Sequence, residues 1–100
     1  MKYVIAWVAK PNLGEAEIAR SLQVFSKWTP SEKVTFEQFL GRVDARGGFA
    51  VVTTDDINAV VRDMAIFGTW FDMDVVPVVE IGEFAAISGE ALEFIASSAS

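Results

Sequence analysis

The chain has 100 residues, of which 52% are apolar and 12% aromatic, and its 14 Asp and Glu residues against eight Lys and Arg give a net charge of -6. This is enough apolar material for one core and too little for two, so we predict a single domain over residues 1–100. The chain contains no His and no Cys. Their absence excludes His-ligated haem, Ser-His-Asp hydrolysis, most catalytic zinc sites, disulfides, thiolate nucleophiles and iron-sulfur clusters.

Charge and hydropathy also limit the partners. The acidic balance, without a Lys/Arg cluster, argues against a nucleic-acid partner. The longest apolar runs, such as Val4 to Ala9 and Val75 to Val79, are far shorter than a membrane-spanning helix. No small-residue cleavage site follows the first residues, so we expect a cytoplasmic protein rather than a secreted one.

The first two elements are a strand and a helix. Residues 3–9 are β-branched, aromatic and apolar at odd and even positions alike, which predicts a central strand buried on both faces. Asn12 and Glu15 have capping-box spacing, and Ile18, Leu22 and Phe25 then repeat at helical intervals. We therefore predict an amphipathic helix over residues 13–28.

A hairpin is predicted next. The residue pattern predicts two strands over residues 34–45 and 49–54, and Gly47-Gly48 lies between them. Glycine pairs are typical of two-residue hairpin turns because both residues can adopt positive φ without penalty.

The remaining elements are a helix, a strand and a last helix. Asp55 and Asp56 precede a helix predicted to end near Gly68. Residues 72–80 form a fourth strand, which Pro77 places at a sheet edge because proline cannot donate to the ladder. The final helix, residues 83–96, is predicted to bury a set of apolar side chains: Phe84, Ile87, Ala91, and Phe94 or Ile95. Residues 97–100 are expected to fray.

The element order is βαββαβ with an extra C-terminal helix. It predicts an α+β, ferredoxin-like fold with a four-stranded antiparallel sheet and helices on one face.

The sheet has two apolar faces in this prediction. The proposed Gly47-Gly48 turn pairs Arg46 with Phe49 and Asp44 with Val51, while Phe39, Val43, Ala50 and Val52 share the opposite face. We assign this second, smaller set to the helix side. The other face of the sheet then carries a larger apolar patch than a soluble monomer usually exposes. We therefore predict a homodimer in which two sheets pack face to face. Its predicted interface residues are Tyr3, Ile5, Trp7, Phe49 and Val51.

Several segments carry a family resemblance. Trp28-Thr29-Pro30, residues 42–56 with their Gly-Gly-Phe-Ala-Val sequence, and Asp74-Val75-Val76-Pro77-Val78-Val79-Glu80 resemble the small bacterial and archaeal proteins grouped as domain of unknown function 3303. The resemblance covers nearly the whole chain. It implies a dimeric α/β-barrel and no established activity. The wider superfamily includes haem-dependent enzymes, cofactor-free monooxygenases, isomerases and ligand-sensing domains.

Two groups are candidate ligand-binding residues. Arg42, Asp44 and Arg46 alternate along the predicted second strand, where two guanidinium groups can bind a carboxylate or phosphate. A salt bridge that protects a sheet edge is the alternative we favour for them. Tyr3 and Trp7 share a strand face and can line a pocket for an aromatic ligand, although a role in the dimer core is favoured.

Other candidates receive structural interpretations. Trp28, Phe67, Trp70 and Phe71 lie near helix ends and either gate an opening or, as we favour, close the core. The pairs Asp55–Asp56 and Asp72–Asp74 provide too few ligands for a divalent cation, so no metal site is predicted. No nucleotide-binding or hydrolase motif occurs, and we predict no cofactor.

These observations favour a small-molecule-binding or interaction module without catalysis, taking an apolar or anionic ligand. The alternative is a cofactor-independent monooxygenase or isomerase in which Arg42 stabilises an oxyanion and Asp44 or Tyr3 moves a proton. A structural subunit of a larger assembly is the third hypothesis. A cavity containing Arg42 and Asp44 would favour catalysis, and a cavity lined by apolar groups would favour binding.

Overall fold

A computed structural model of the chain describes residues 1–98. Its strands are β1 (Lys2–Ala9), β2 (Val34–Gly41), β3 (Gly47–Thr54) and β4 (Phe71–Val78), and its helices are α1 (Glu15–Lys27), α2 (Ile57–Phe67) and α3 (Ile81–Ser98). The four strands form an antiparallel sheet of order β2-β3-β1-β4. The predicted α+β, ferredoxin-like fold with an extra C-terminal helix is confirmed, as is the edge position of Pro77 in β4.

The starts of α1 and α2 differ in how they are capped. The Asp56 carboxylate accepts a hydrogen bond from the Asn58 amide (3.1 Å), which satisfies a free donor at the start of α2 as predicted. The capping box predicted for α1 is wrong, since Gly14 occupies the N-cap without a side-chain bond. Instead, the negative charges of Glu15 and Glu17 in the first turn stabilise the helix by interacting with the positive end of its dipole.

The predicted Gly47-Gly48 turn is also wrong. Both glycines belong to β3, where they pair with Val8 and Trp7 of β1, and neither has a positive φ. The turn covers residues 42–46, and Ala45 adopts the left-handed conformation (φ 61°). The glycines instead allow the neighbouring strands to lie close to the β3 backbone. A Cβ at Gly48 would overlap the Trp7 ring and the Leu40 carbonyl oxygen.

A β-bulge in β2 places two phenylalanines on one face. Phe36 and Gln38 pair with the consecutive residues Val52 and Val51, so Glu37 is the extra residue. Phe36 and Phe39 therefore both lie on the helix side of the sheet, where their rings stack at 5.1 Å.

The predicted division of the sheet faces is only partly correct. Ala50, Val52 and Phe39 lie on the helix side as expected. Tyr3 and Ile5 are directly paired with Val52 and Ala50, and partners in an antiparallel ladder share a face. Tyr3, Ile5 and Trp7 thus lie beneath the helices and not beside Phe49 and Val51, because the β1–β3 ladder pairs the odd residues of β1 with the even residues of β3. Val43, expected on the helix side, lies in the turn and is fully exposed.

The core lies between the sheet and α2. Its buried apolar residues are Ile5, Val34, Ala50, Val52, Ala59 and Val60. Val52 in β3 is completely buried. The odd residues of β1 and the even residues of β3 share the face of the sheet that packs on α2, so apolar side chains are favoured at these positions.

The last helix departs most from expectation. We predicted that it buries Phe84, Ile87, Ala91, and Phe94 or Ile95, but no residue of α3 is buried. Only two residues separate it from β4, and it extends from the body, which gives the chain dimensions of 63 × 31 × 21 Å. Residues 97 and 98, expected to fray, belong to this helix. The same expectation for residues 99 and 100 lies outside the described residues. Across residues 1–98, no helix combines the length and the apolar character needed to cross a membrane.

Candidate ligand-binding cavity

An apolar cavity of about 240 Å³ lies between the sheet and the helices α1 and α2. Seven lining residues come from the sheet: Ile5, Trp7, Phe36, Phe39, Ala50, Phe71 and Met73. The other seven come from α1, its C-cap and α2: Ser21, Leu22, Phe25, Trp28, Asp63, Met64 and Phe67. Twelve of the fourteen residues are apolar or aromatic. A cavity of this character suits a small apolar molecule.

Aromatic rings form one continuous cluster around the cavity. Trp28 packs edge-on against Phe67 (5.3 Å between ring centroids), and Phe25 lies 6.0 Å from Phe39. Trp7 meets Phe39 edge-on at 5.5 Å. Edge-to-face arrangements of this kind are favourable, and they join the helix and sheet walls of the cavity.

Asp63 is the ionisable group of the cavity wall. It is only 7% exposed, and its Oδ1 accepts a hydrogen bond of 3.0 Å from the Trp28 indole nitrogen. Burial raises the pKa of Asp63, while the bond from Trp28 and the charge of Arg62 oppose this rise. Ser21, the other polar residue, donates within its own helix to the Ile18 carbonyl (2.7 Å), so Asp63 is the polar group best placed to orient a ligand.

Sequence reasoning did not identify Asp63. The residue lies three positions after Val60 and four before Phe67, both buried, so helical periodicity places its carboxylate on the face of α2 that packs on the sheet. A charged residue at such a position is unusual. That spacing was the available signal.

The structure separates the two aromatic candidates on β1. Trp7 lines the cavity, whereas Tyr3 packs against the core and does not belong to the cavity wall. Of the second aromatic set, Trp28, Phe67 and Phe71 line the cavity and Trp70 does not. Trp28 packs edge-on against Phe67, and both residues form part of the cavity wall together with Phe71.

The three charged candidates lie together in the β2–β3 turn. An Arg42 guanidinium nitrogen pairs with an Asp44 carboxylate oxygen at 2.5 Å, and Asp44 also accepts from the Arg46 amide at 3.1 Å. The bonds from Arg42 and then Arg46 lower the pKa of Asp44. The three residues do not alternate along a strand as predicted, because β2 ends at Gly41, and they do not line the cavity.

The acidic pairs have separate positions. Asp56 caps α2, and its side chain also pairs with Lys33 (3.3 Å). Asp72 and Asp74 are paired with Val8 and Ala6 on the uncovered face of the sheet. Within residues 1–98, no three acidic side chains converge into a potential metal site.

We call the uncovered side of the sheet the open face. The strand register places an apolar set on it: Val4, Ala6, Val8, Leu40, Phe49, Val51 and Val76. At one end Lys2 pairs with Glu80 (2.6 Å) and Glu37 (3.4 Å), which raises the pKa of Lys2. Phe49 and Val51 therefore lie on this open face, whereas the other three predicted interface residues, Tyr3, Ile5 and Trp7, lie on the helix side.

Comparison with known proteins gives one result that covers most of the chain. Residues 1–92 match the family model described as Domain of unknown function (DUF3303). A search of curated proteins finds no match. The match agrees with the resemblance carried by the Gly-Gly-Phe-Ala-Val and Val-Val-Pro-Val-Val segments, and the chain belongs to the DUF3303 family.

Proposed function

We propose that this chain forms a cytoplasmic homodimer that binds a small, mainly apolar molecule in the cavity between the sheet and the helices. The observation that carries the proposal is a cavity of about 240 Å³ with an almost wholly apolar wall and one buried carboxylate. Such a wall supplies affinity through burial, and a single polar group orients the ligand.

The nature of the carboxylate narrows the ligand class. An ionised Asp63 repels an anion, and the guanidinium of Arg42 already pairs with Asp44 outside the cavity. A neutral molecule with a hydrogen-bond donor satisfies Asp63 in either protonation state, because a carboxyl group always retains an acceptor oxygen. We therefore favour an apolar ligand with one donor group over the anionic alternative.

The open face supports the dimer. Phe49, Leu40 and Val76 are 44%, 52% and 51% exposed there, and they adjoin Val4 and Val51 in the strand register. Packing two such faces at about 10 Å would remove this surface from water. The dimer proposed from the sequence is thus retained, with an interface centred on Phe49 and Val51.

One observation favours the catalytic alternative. A proton carrier needs a buried group with a shifted pKa, and Asp63 has this property, whereas the earlier candidates Asp44 and Tyr3 lie outside the cavity wall. However, no Arg or Lys lines the described cavity to stabilise a developing anion. Binding without catalysis is therefore the function we propose.

Two alanines on opposite faces of the sheet allow a matched test. Ala50 lines the cavity, and Ala6 lies on the open face. With N-phenyl-1-naphthylamine as a neutral fluorescent probe, Ala50→Leu is expected to weaken binding by about tenfold, or about 1.4 kcal/mol, by filling the cavity. Ala6→Leu is expected to leave binding unchanged.

A second variant guards against a folding defect. Met64→Trp enlarges a flexible side chain in the same wall, and it too is expected to weaken probe binding. Circular dichroism checks that each variant is folded. Equal probe affinity in the wild type, Ala50→Leu and Met64→Trp would overturn the proposed site, as would the loss of binding in Ala6→Leu alone.

A further inference from the structure

Asp63 is a buried acid that forms no ion pair with the described residues. Its residue is 7% exposed, and none of the ion pairs within residues 1–98 includes it. Its neighbour Arg62 is exposed and does not pair with it. Buried carboxylates in proteins are normally paired with a cation. Asp63 therefore has the character of a group that recognises a cation from outside the chain.

One oxygen of this carboxylate can accept a hydrogen bond from a ligand. Oδ1 accepts the indole N–H of Trp28 at 3.0 Å, while Oδ2 accepts no hydrogen bond from residues 1–98. In this part of the chain, no fully enclosed side-chain oxygen lacks a partner, so Oδ2 is not fully enclosed. Because Asp63 lines the cavity, a donor inside the cavity is placed to reach this oxygen.

Aromatic rings lie next to the carboxylate. The Trp28 ring, which donates to Asp63, lies 5.3 Å from the ring of Phe67 and 5.9 Å from those of Phe25 and Phe36. Phe67 follows Asp63 by about one helical turn on the same face of α2. The face of an aromatic ring is negative and attracts a cation. These rings therefore offset part of the hydration that a cation loses on entering the cavity.

The cavity wall carries no positive charge that would compete for Asp63. No Lys or Arg lines the described cavity. The other polar residue of the wall, Ser21, donates to the Ile18 carbonyl at 2.7 Å. The net charge of the chain is -6, which attracts cations over anions. The wall thus presents one acidic group within an aromatic and apolar surface.

We infer that the cavity selects an apolar amine, whose ammonium group pairs with Asp63 while its apolar part packs on the aromatic wall. An ammonium group has several donors, so it can bond to Oδ2 while Oδ1 keeps the bond from Trp28. Asp63 is then the residue that determines selectivity for the charge of the ligand. The inference rests on the proposed function for the cavity, and it narrows the donor group of the ligand to a cationic nitrogen.

An ammonium group gains more at Asp63 than a neutral donor does. Hydrogen bonds between ionised groups are about twice as strong as those between neutral groups. The loss of hydration by the cation opposes this gain, but the carboxylate has already lost most of its own hydration in the folded protein. Burial raises the pKa of Asp63, and a cation beside the carboxylate stabilises its ionised form.

Three ligands of similar size test the preference for positive charge. Phenethylamine carries an ammonium group at neutral pH, phenethyl alcohol carries a hydroxyl group in its place, and phenylacetate carries a carboxylate. Isothermal titration calorimetry measures the dissociation constant of each with the wild-type protein. We expect the amine to bind about tenfold more tightly than the alcohol, and phenylacetate to bind most weakly. Binding of the alcohol as tightly as the amine, or more tightly, would overturn the inference.

Asp63→Asn removes the negative charge and keeps an acceptor for the Trp28 indole. We expect this variant to bind phenethylamine about tenfold more weakly and phenethyl alcohol within about twofold of the wild type. Retained binding of the alcohol shows that the cavity is intact. Asp72→Asn is the matched control, because it removes the same charge from an exposed position on the open face, and it is expected to leave both affinities unchanged.

Two results with these variants would overturn the inference. One is an unchanged affinity for the amine in Asp63→Asn, and the other is an equal loss of amine binding in Asp63→Asn and Asp72→Asn. The ranking of the three ligands in the wild type does not depend on the folding of either variant.

The neutral probe N-phenyl-1-naphthylamine separates this inference from the proposed function. If the probe binds but phenethylamine binds no more tightly than the alcohol, the cavity proposal stands and the selection of an amine fails. If amine binding requires Asp63 but the probe does not bind, the amine site stands and the proposal of a mainly apolar ligand fails. If none of these molecules binds, both fail.

Discussion

Replacing Gly48 by alanine tests the register that defines the cavity. A Cβ at this position would overlap the carbonyl oxygen of Leu40 and the ring of Trp7. Neither neighbour can withdraw easily, because one is backbone in the adjacent strand and the other is packed against Phe39. The substitution therefore forces movement in β2, β3 or the cavity wall.

The expected loss of stability follows from two opposing effects. Overpacking in a rigid site costs about 3 kcal/mol, the upper end of the usual range, while the reduced entropy of the unfolded chain returns about 0.4–1 kcal/mol. The net loss of about 2–3 kcal/mol corresponds to a fall in melting temperature of roughly 8–24 °C for a domain of this size.

Gly41→Ala is the matched control. Gly41 lies in the same hairpin, but a Cβ there meets no atom within 4 Å, and its φ is not positive. We therefore expect stabilisation of about 0.4–1 kcal/mol from the unfolded-state effect alone. Urea denaturation and thermal melting of both variants provide the comparison. Equal stability of Gly48→Ala and Gly41→Ala would refute the close packing of Gly48 against Trp7 and Leu40.

The remaining predictions concern Asp63, the open face and the charged turn. Since burial raises the folded-state pKa of Asp63, its protonated form favours folding, and stability is lost as pH rises from its ordinary pKa through the raised value. Urea titrations across this pH range measure the free energy of unfolding, and Asp63→Asn is expected to make it less dependent on pH. Asp63→Ala is expected to show the same change and to lose about 1 kcal/mol more, because the hydrogen bond from Trp28 is also removed. An unchanged pH dependence in Asp63→Asn would contradict the burial of Asp63. Val51→Asp on the open face is expected to shift native mass spectra from dimer to monomer, whereas Thr53→Asp at the polar end retains the dimer, and an intact dimer in Val51→Asp would exclude this interface. Arg42→Ala with Arg46→Ala is expected to leave probe binding unchanged because the turn lies outside the cavity, and a loss measured by fluorescence titration would show that the turn contributes to the site.

The exclusion of several catalytic and metal-binding chemistries required only the amino-acid composition of the chain. A chain with no His and no Cys lacks those ligands and nucleophiles in any fold. Element order was equally accessible, because the apolar periodicities of residues 3–9 and 57–67 are local properties of the chain. The edge position of Pro77 followed from its missing amide.

The division of the sheet faces required tertiary information. Gly47-Gly48 has the composition of a turn, but close packing against Trp7 and Leu40 uses both glycines inside β3. Which residues of β1 join Ala50 and Val52 on one face depends on the long-range pairing of β1 with β3, and a shift of one residue in that pairing would reverse the faces because the strand period is two. Tyr3, Ile5 and Trp7, which were predicted as interface residues, lie on the helix side, and the cavity role of Trp7 emerged only with the correct ladder.

The chain sequence by itself therefore determined the fold class, the element order and the presence of more apolar surface than one sheet face can bury. Tertiary structure alone decided which residues form each face, that Asp63 enters an aromatic cavity, and that α3 leaves its own body. The physical reason is that periodicity records which residues need burial, whereas the surface that buries them depends on the long-range pairing of strands and helices.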